Sequence, residues 1–326
     1  METFPNSLKS EKNTIEQWFE EEFKKRETLN VSGEQIEILD IAPKELKQGA
    51  PVLFISGYGD GSPEGRKTNI LELVKQGRRV IAVKSPHGID QKSDNPKTEN
   101  LRDSILKQVN AINLVLEKKG VGKVSVIGES RGGIVTLAAA HLYPDKFENL
   151  VLVDSGGLVK EINTALLGIR FLNTGISEGK TFKEREKAGL VSALGKEQVE
   201  WGTKEFMKWV LKTPILSTKE INDIAKSETY QFLREIKNHG IGISIVHGVD
   251  DKVFPMKDVQ KNISEQKKSG NPEELQISEI IDGFYSVEGG HGDLNTKPEQ
   301  YTSAAEKVLT ALENKQRSIK NSEVKN

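Results

Sequence analysis

An apolar run, KVSVIG over residues 123–128, gives way at once to a small-residue helical pattern, GGIVTLAAAHL over 132–142, so strand must become helix within a few residues. Such a turn strains its central residue and leaves no room for side chains beside it, which Gly128 and Gly132 relieve. The resulting Gly128-Glu129-Ser130-Arg131-Gly132 has the layout of a nucleophile elbow, with Ser130 lifted above the end of a strand. A strand that runs straight into a helix requires a sheet layered with helices. Ser130 is therefore the first candidate for chemistry.

The rest of the chain repeats the same order. QIEILDI (35–41), PVLFISG (51–57), RRVIAVKSP (78–86) and NLVLVDSGG (149–157) read as strands, the middle ones nearly continuous in β-branched and apolar residues as buried parallel strands are. Helical patterns lie between them at KTNILELVKQG (67–77), closed by Gly77, and at NLRDSILKQVNAINLVLEKKG (100–120). Residues 158–240 carry helical patterns such as KEFMKWVLK and SETYQFLREIKNH and read as a helical cap inserted into the domain. Alternation resumes with IGISIVHG (241–248), a helix across 256–270, the strand EIIDGFYSV (279–287) and a closing helix over 298–314. The expectation is a mostly parallel twisted sheet flanked by helices, its α/β core at 31–157 and 241–314. Residues 12–28 place Ile15, Trp18, Phe19 and Phe23 at helical spacing, so residues 1–30 are expected to form an amphipathic helix packed on the core. Residues 315–326 are polar and expected to fray.

Composition removes several classes of function. With 47 basic against 48 acidic residues, the net charge of −1 supplies no field to gather nucleic acid or an anionic membrane. Without cysteine, disulfides, Cys-ligated metals and thiol nucleophiles are unavailable. No stretch approaches the roughly 20 apolar residues that span a bilayer, and the opening residues lack a signal-like apolar core, so the expected location is cytoplasmic. No His and carboxylate group has zinc-ligand spacing, and GYGDG (57–61) matches neither common phosphate-binding fingerprint. Neither metal nor cofactor is expected.

A serine hydroxyl needs a base within hydrogen-bond reach, and the base needs a carboxylate to fix its tautomer. Of five histidines, His291 is best placed, in a glycine-rich loop between the last strand and the last helix. His247 reads as a strand-end residue bonded locally, His141 and His239 as structural, and His87, in KSPHGID, as a turn residue that could touch substrate. Asp251 in HGVDDKVFP is the expected acid, with Asp250 capping the next helix and Asp154, at the end of NLVLVD, its rival. The developing oxyanion requires donors, expected from the backbone N–H groups of Arg131 and of Tyr58, the latter in a loop that Gly57 allows to approach closely. Glu129 and Arg131 flank the serine, where a charged side chain either reads the substrate or pairs with a neighbour. The cap aromatics Trp201, Phe206, Trp209, Tyr230 and Phe232 either line a pocket or pack among themselves.

On ISGYG, GESRGG, HGVDDKVFP and GGHGDL the chain resembles the α/β-hydrolase superfamily over about residues 31–314, with residues 158–240 matching that family's lid. The resemblance implies Ser130 as nucleophile, Asp251 as acid, His291 as base and the amides of Tyr58 and Arg131 as oxyanion hole, with a small-molecule acyl substrate. Ser56 stands where many members carry histidine, and Ser130 where dehalogenases and epoxide hydrolases carry aspartate. That favours a hydrolase of esters, thioesters or lactones. Carbon–carbon bond hydrolases share the same triad, and a noncatalytic small-molecule receptor on this fold is the reading from another class.

Overall fold

The computed structural model describes residues 6–31, 34–59, 62–84, 96–265 and 280–323. Its framework is an eight-stranded sheet of β1 (Glu27–Val31), β2 (Glu34–Ile41), β3 (Val52–Ile55), β4 (Val80–Val83), β5 (Val124–Glu129), β6 (Phe147–Val153), β7 (Gly242–Gly248) and β8 (Gly283–Val287). The strand order is β1-β2-β4-β3-β5-β6-β7-β8. The first two pairings, β1 with β2 and β2 with β4, are antiparallel, and all others are parallel.

Period-two alternation gives the sheet two buried faces. Leu53, Ile55, Val126, Leu150 and Leu152 belong to one apolar cluster, with α3 (Asp103–Lys118) and α4 (Arg131–Leu142). Their neighbours Val52, Phe54, Ile127, Val151 and Val153 belong to the other, beneath α1 (Asn6–Phe23) and α2 (Lys67–Lys75). Helix α1 occupies part of the span expected to form an amphipathic N-terminal helix, and Phe19 and Phe23 are buried among its described side chains. It ends earlier than its pattern predicts. Glu27 and Thr28 belong to β1, whose partners are Ile38 and Glu37 of β2. Polar edge strands carry little period-two signal, which is why ETLNV does not stand out.

Between β6 and β7 lies the helical cap: α5 (Thr164–Lys187), α6 (Ala193–Lys212), α7 (Pro214–Ala225) and α8 (Leu233–Asn238). Asn163 and Ser192 cap the first two through their side chains, and Pro214 opens the third. After β7 come α9 (Met256–Glu265), the one-turn α10 (Asp293–Thr296) and α11 (Pro298–Glu323). The last helix runs nine residues past the expected end at 314. Gln316 donates to the Glu148 carbonyl (2.9 Å) and Arg317 to the Gln48 carbonyl (3.0 Å), so polar residues are held by tertiary hydrogen bonds that no periodicity shows. No helix among the described residues is long and apolar enough to cross a membrane.

Candidate active site

Ser130 caps the carboxyl end of β5 with φ 52°, a left-handed value that costs a serine energy and must be held in place by its surroundings. Its N–H donates to the Val153 carbonyl (2.9 Å), and its own carbonyl accepts from Gly133 and Gly156 (both 3.0 Å). A side chain at Gly132 would run into the Ile55 carbonyl, and one at Gly128 into the Thr136 hydroxyl, so the elbow admits only glycine at both positions.

Two loops at the same sheet edge bring the partners. His291, between β8 and α10, sets Nε2 2.8 Å from Ser130 Oγ, while its Nδ1 lies 2.9 Å from Asp251 Oδ2. Asp251 Oδ1 accepts from the backbone N–H groups of Val253 (2.7 Å) and Phe254 (2.9 Å), which fixes the carboxylate plane. Phe254 and Phe171 pack edge-on against the imidazole at 5.2 and 5.9 Å between centroids. Burial opposes charge on both groups. The His291 charge and hydrogen bond outweigh it for Asp251, holding that carboxyl below its usual range. For His291 the Asp251 carboxylate outweighs burial and, with Asp154 and Glu129, raises the ring to about 9.

Asp154, the rival acid, lies behind this line. It also adopts a positive φ (43°), and its Oδ1 accepts from the Gly248 N–H at 2.7 Å. Complete burial and the neighbouring Asp251 charge push its carboxyl well above the usual range. His247 separates the two acids, 3.7 Å from Asp154 and 3.6 Å from Asp251, and its Nε2 lies 2.8 Å from the Phe254 carbonyl. Asp154, His247 and Asp251 bring ligand-type atoms within 4.8 Å of one another. The Asp251 oxygens and His247 Nε2 already have protein partners, so the donor set fits a hydrogen-bonded network better than a cation.

The loop after β3 closes the other side. A Cβ at Gly57 would sit 3.1 Å from Ser130 Cβ, so the backbone passes directly over Ser130. Glu129 braces this loop: its Oε2 accepts from the Gly57 N–H (3.0 Å) and from Arg66 Nε (2.9 Å) and Nη2 (2.5 Å). Arg66 went unnoticed in the sequence because nothing near it in the chain announces a partner 63 residues away. Arg131, the other flanking residue, points its side chain toward the cap, 3.6 Å from Glu220 of α7.

The cap covers this edge, leaving Ser130 3% and His291 6% exposed. Tyr58 joins it to the core, donating to the Ser217 carbonyl (3.0 Å) and contacting Phe171, Phe206 and Trp209 at 5.6, 5.7 and 5.1 Å between ring centroids. Of the cap aromatics singled out in the sequence, Phe206 and Trp209 meet the site through Tyr58, whereas Tyr230 and Phe232 pack into the core cluster. Phe171 was missed, although Leu167, Phe171 and Phe182 share one face of α5. His141 stacks on Phe232 at 4.1 Å, away from the serine. His87 falls outside the described residues.

A serine on a left-handed strand-to-helix turn, in hydrogen-bond line with a histidine and an aspartate at the carboxyl edge of a mostly parallel sheet under a helical cap, defines the α/β-hydrolase fold. A model of the alpha/beta hydrolase fold family matches residues 50–177. A 2-hydroxy-6-oxo-6-(2'-aminophenyl)hexa-2,4-dienoic acid hydrolase of Metapseudomonas resinovorans is 28% identical over 280 residues, 82% of this chain and 86% of that protein. Among solved structures, a Nitrososphaera gargenis carboxylesterase superposes with TM-score 0.58 at 16% identity, over 89% of this chain and all of that one. A meta-cleavage product hydrolase of Pseudomonas fluorescens IP01 gives 0.56 at 18% identity, over 89% and 98%. The chain has the α/β-hydrolase fold and is a hydrolase.

Proposed function

We propose that the protein is a serine hydrolase that cleaves a small ester, thioester or lactone through an acyl-enzyme on Ser130. The carrying observation is the continuous line Ser130 Oγ, His291 Nε2, His291 Nδ1, Asp251 Oδ2, with links of 2.8 and 2.9 Å. In the neutral tautomer with Nδ1–H donated to Asp251, Nε2 presents a lone pair to the serine hydroxyl. His291 takes that proton as Oγ bonds to the substrate carbonyl carbon. The N–H groups of Tyr58 and Arg131 donate hydrogen bonds to the carbonyl oxygen as negative charge develops on it. Collapse breaks the bond to the leaving group, which receives the proton from His291. A water then gives its proton to His291, attacks the acyl carbon and releases the acid, and the proton returns to Ser130.

A second reading is favoured by the Metapseudomonas relative: cleavage of a carbon–carbon bond beside a carbonyl, with the same three residues. Both readings put the activated serine first. The test is labelling of the purified protein with a fluorophosphonate probe and mapping of the labelled peptide, with p-nitrophenyl esters and a vinylogous 2-hydroxy-6-oxodienoate assayed in parallel. Ser130 is expected to carry the label, and Ser130→Ala and His291→Ala to lower turnover by at least about 10³-fold. A folded protein that takes no label would sink the nucleophile; turnover of the dienoate alone would replace the ester reading with the carbon–carbon one.

A further inference from the structure

Helix α5 carries apolar residues on both of its faces. Leu166, Ile169, Leu172 and Ile176 are exposed on its outer surface, while the inward face, at spacings of four, three, four and four residues, carries Leu167, Phe171, Thr174, Glu178 and Phe182. Glu178 is the one charged residue on this inner, mainly apolar face. Phe171 touches the His291 ring. Two turns on, the Glu178 carboxylate packs on Gly292, the residue after His291, where an added Cβ would have to displace it.

Among the described residues Glu178 makes no hydrogen bond or ion pair. The charges that face it are already engaged: His291 with Asp251, Arg66 with Glu129 and Asn295, and Asp293 with Lys297. Burial pushes the Glu178 carboxyl up to about 7 against the pull of His291, with Asp293 and Glu129 adding to the push and Arg66 opposing it. This half-buried carboxylate, without a protein partner among the described residues, is available to a positive or hydrogen-donating group from outside the protein.

We propose that Glu178 is a specificity-determining residue that reads the charge of the substrate's leaving-group half, accepting uncharged and cationic groups and rejecting carboxylates. The position follows from mechanism: His291 must hand its proton to the leaving group, so that group lies over the imidazole, beside Gly292 and under α5. The inference rests on the acyl-enzyme reading for Ser130 and narrows it. It also sets this chain apart from its Metapseudomonas relative, whose named substrate is an acid.

The test uses three butyrate esters with one acyl group: the choline ester, its uncharged all-carbon isostere, and the ester of a hydroxyalkanoate. Measured as kcat/KM at pH 8.5, the wild-type order is choline, then isostere, then hydroxyalkanoate, with at least about tenfold between first and last. Glu178→Gln compresses that spread toward unity. Lowering the pH to 6 compresses it in the wild type as well, because the carboxyl takes up a proton while the hydroxyalkanoate stays ionised; the ratio cancels the protonation of His291. Affinities of trimethylammonium, uncharged and carboxylate phenylboronates are measured beside turnover. If none of the esters is hydrolysed but the boronates keep the order and Glu178→Gln removes it, the charge selection stands and the esterase reading fails. The same order in wild type and Glu178→Gln, or no order by either measurement, overturns the proposal.

Discussion

The two largest fully buried side chains among the described residues are arginines at opposite ends of the sheet, and their surroundings differ completely. Arg78, two residues before β4, lies at the amino edge. It donates to Glu306 (3.0 and 3.2 Å), to Glu313 (2.7 and 2.9 Å) and to Thr310 (3.2 Å), all on α11. Arg131, the residue after Ser130, lies at the carboxyl edge. Its Nη2 reaches the Ser104 carbonyl at a long 3.3 Å and Glu220 at 3.6 Å, and Nε and Nη1 have no hydrogen-bond partner among the described residues. One end of the sheet gives every guanidinium nitrogen a partner. The other end, where Ser130 and Asp154 also hold left-handed backbone conformations, carries unmet polar demand. The amino edge is built for stability and the carboxyl edge for chemistry, the division expected of open α/β sheets.

The largest way to break this comparison is at the satisfied end. Arg78→Ala leaves two buried glutamates without their guanidinium and is expected to cost about 3–5 kcal/mol in urea unfolding. Because the lesion lies across the sheet from Ser130, the rate of fluorophosphonate labelling per folded molecule should stay within about twofold. A loss of labelling rate that accompanies the loss of stability would show that the two ends are coupled, and the division would fall.

What could be read in the chain follows the same line between local and distant causes. The elbow, the α/β alternation and the cap were legible because each is written in neighbouring residues: glycines around a serine, apolar runs of strand length, helical spacing. His291 and Asp251 were legible because loops at one sheet edge must converge, whatever the details of packing. Arg66 bracing Glu129, and Glu178 lying on Gly292, were not, because each depends on the orientation of a side chain from a remote element. Strand β1 escaped because ETLNV is polar, and the end of α11 because its anchors, Glu148 and Gln48, lie far away in sequence.

An intermediate effect separates the two ends by pH. At the carboxyl edge the proposed base, His291, acts only when neutral, and the Asp251 carboxylate outweighs burial and raises its ring to about 9. The neutral fraction rises from roughly 1% at pH 7 to half at pH 9, so kcat/KM for an uncharged ester should climb roughly 50-fold over that interval. The stability sign is opposite. A ring whose folded pKa exceeds its unfolded value of about 6.5 stabilises fully below pH 6.5, and that contribution is lost as pH rises through 9. Urea midpoints should therefore fall as activity rises. A flat kcat/KM between pH 7 and 9 would mean that the carboxylates around His291 do not control the base.

The smallest expected effect tests the unsatisfied end directly. Arg131 is buried, yet burial lowers its affinity for a proton despite the charges of Glu220 and Asp223, and its contact with Glu220 lies beyond hydrogen-bond length. Desolvation of two charges is then only weakly offset, and replacing the pair by groups of similar shape should be nearly neutral. Arg131→Met combined with Glu220→Gln keeps the backbone N–H of residue 131, removes the guanidinium and leaves no lone buried carboxylate at position 220. The expected change in unfolding free energy is within about 1 kcal/mol in either direction, with kcat/KM for an uncharged ester within about threefold. A destabilisation matching that of Arg78→Ala would show that the loose Arg131 cluster carries as much of the fold as the tight Arg78 one, and geometry would cease to be a guide to which charges hold this sheet together.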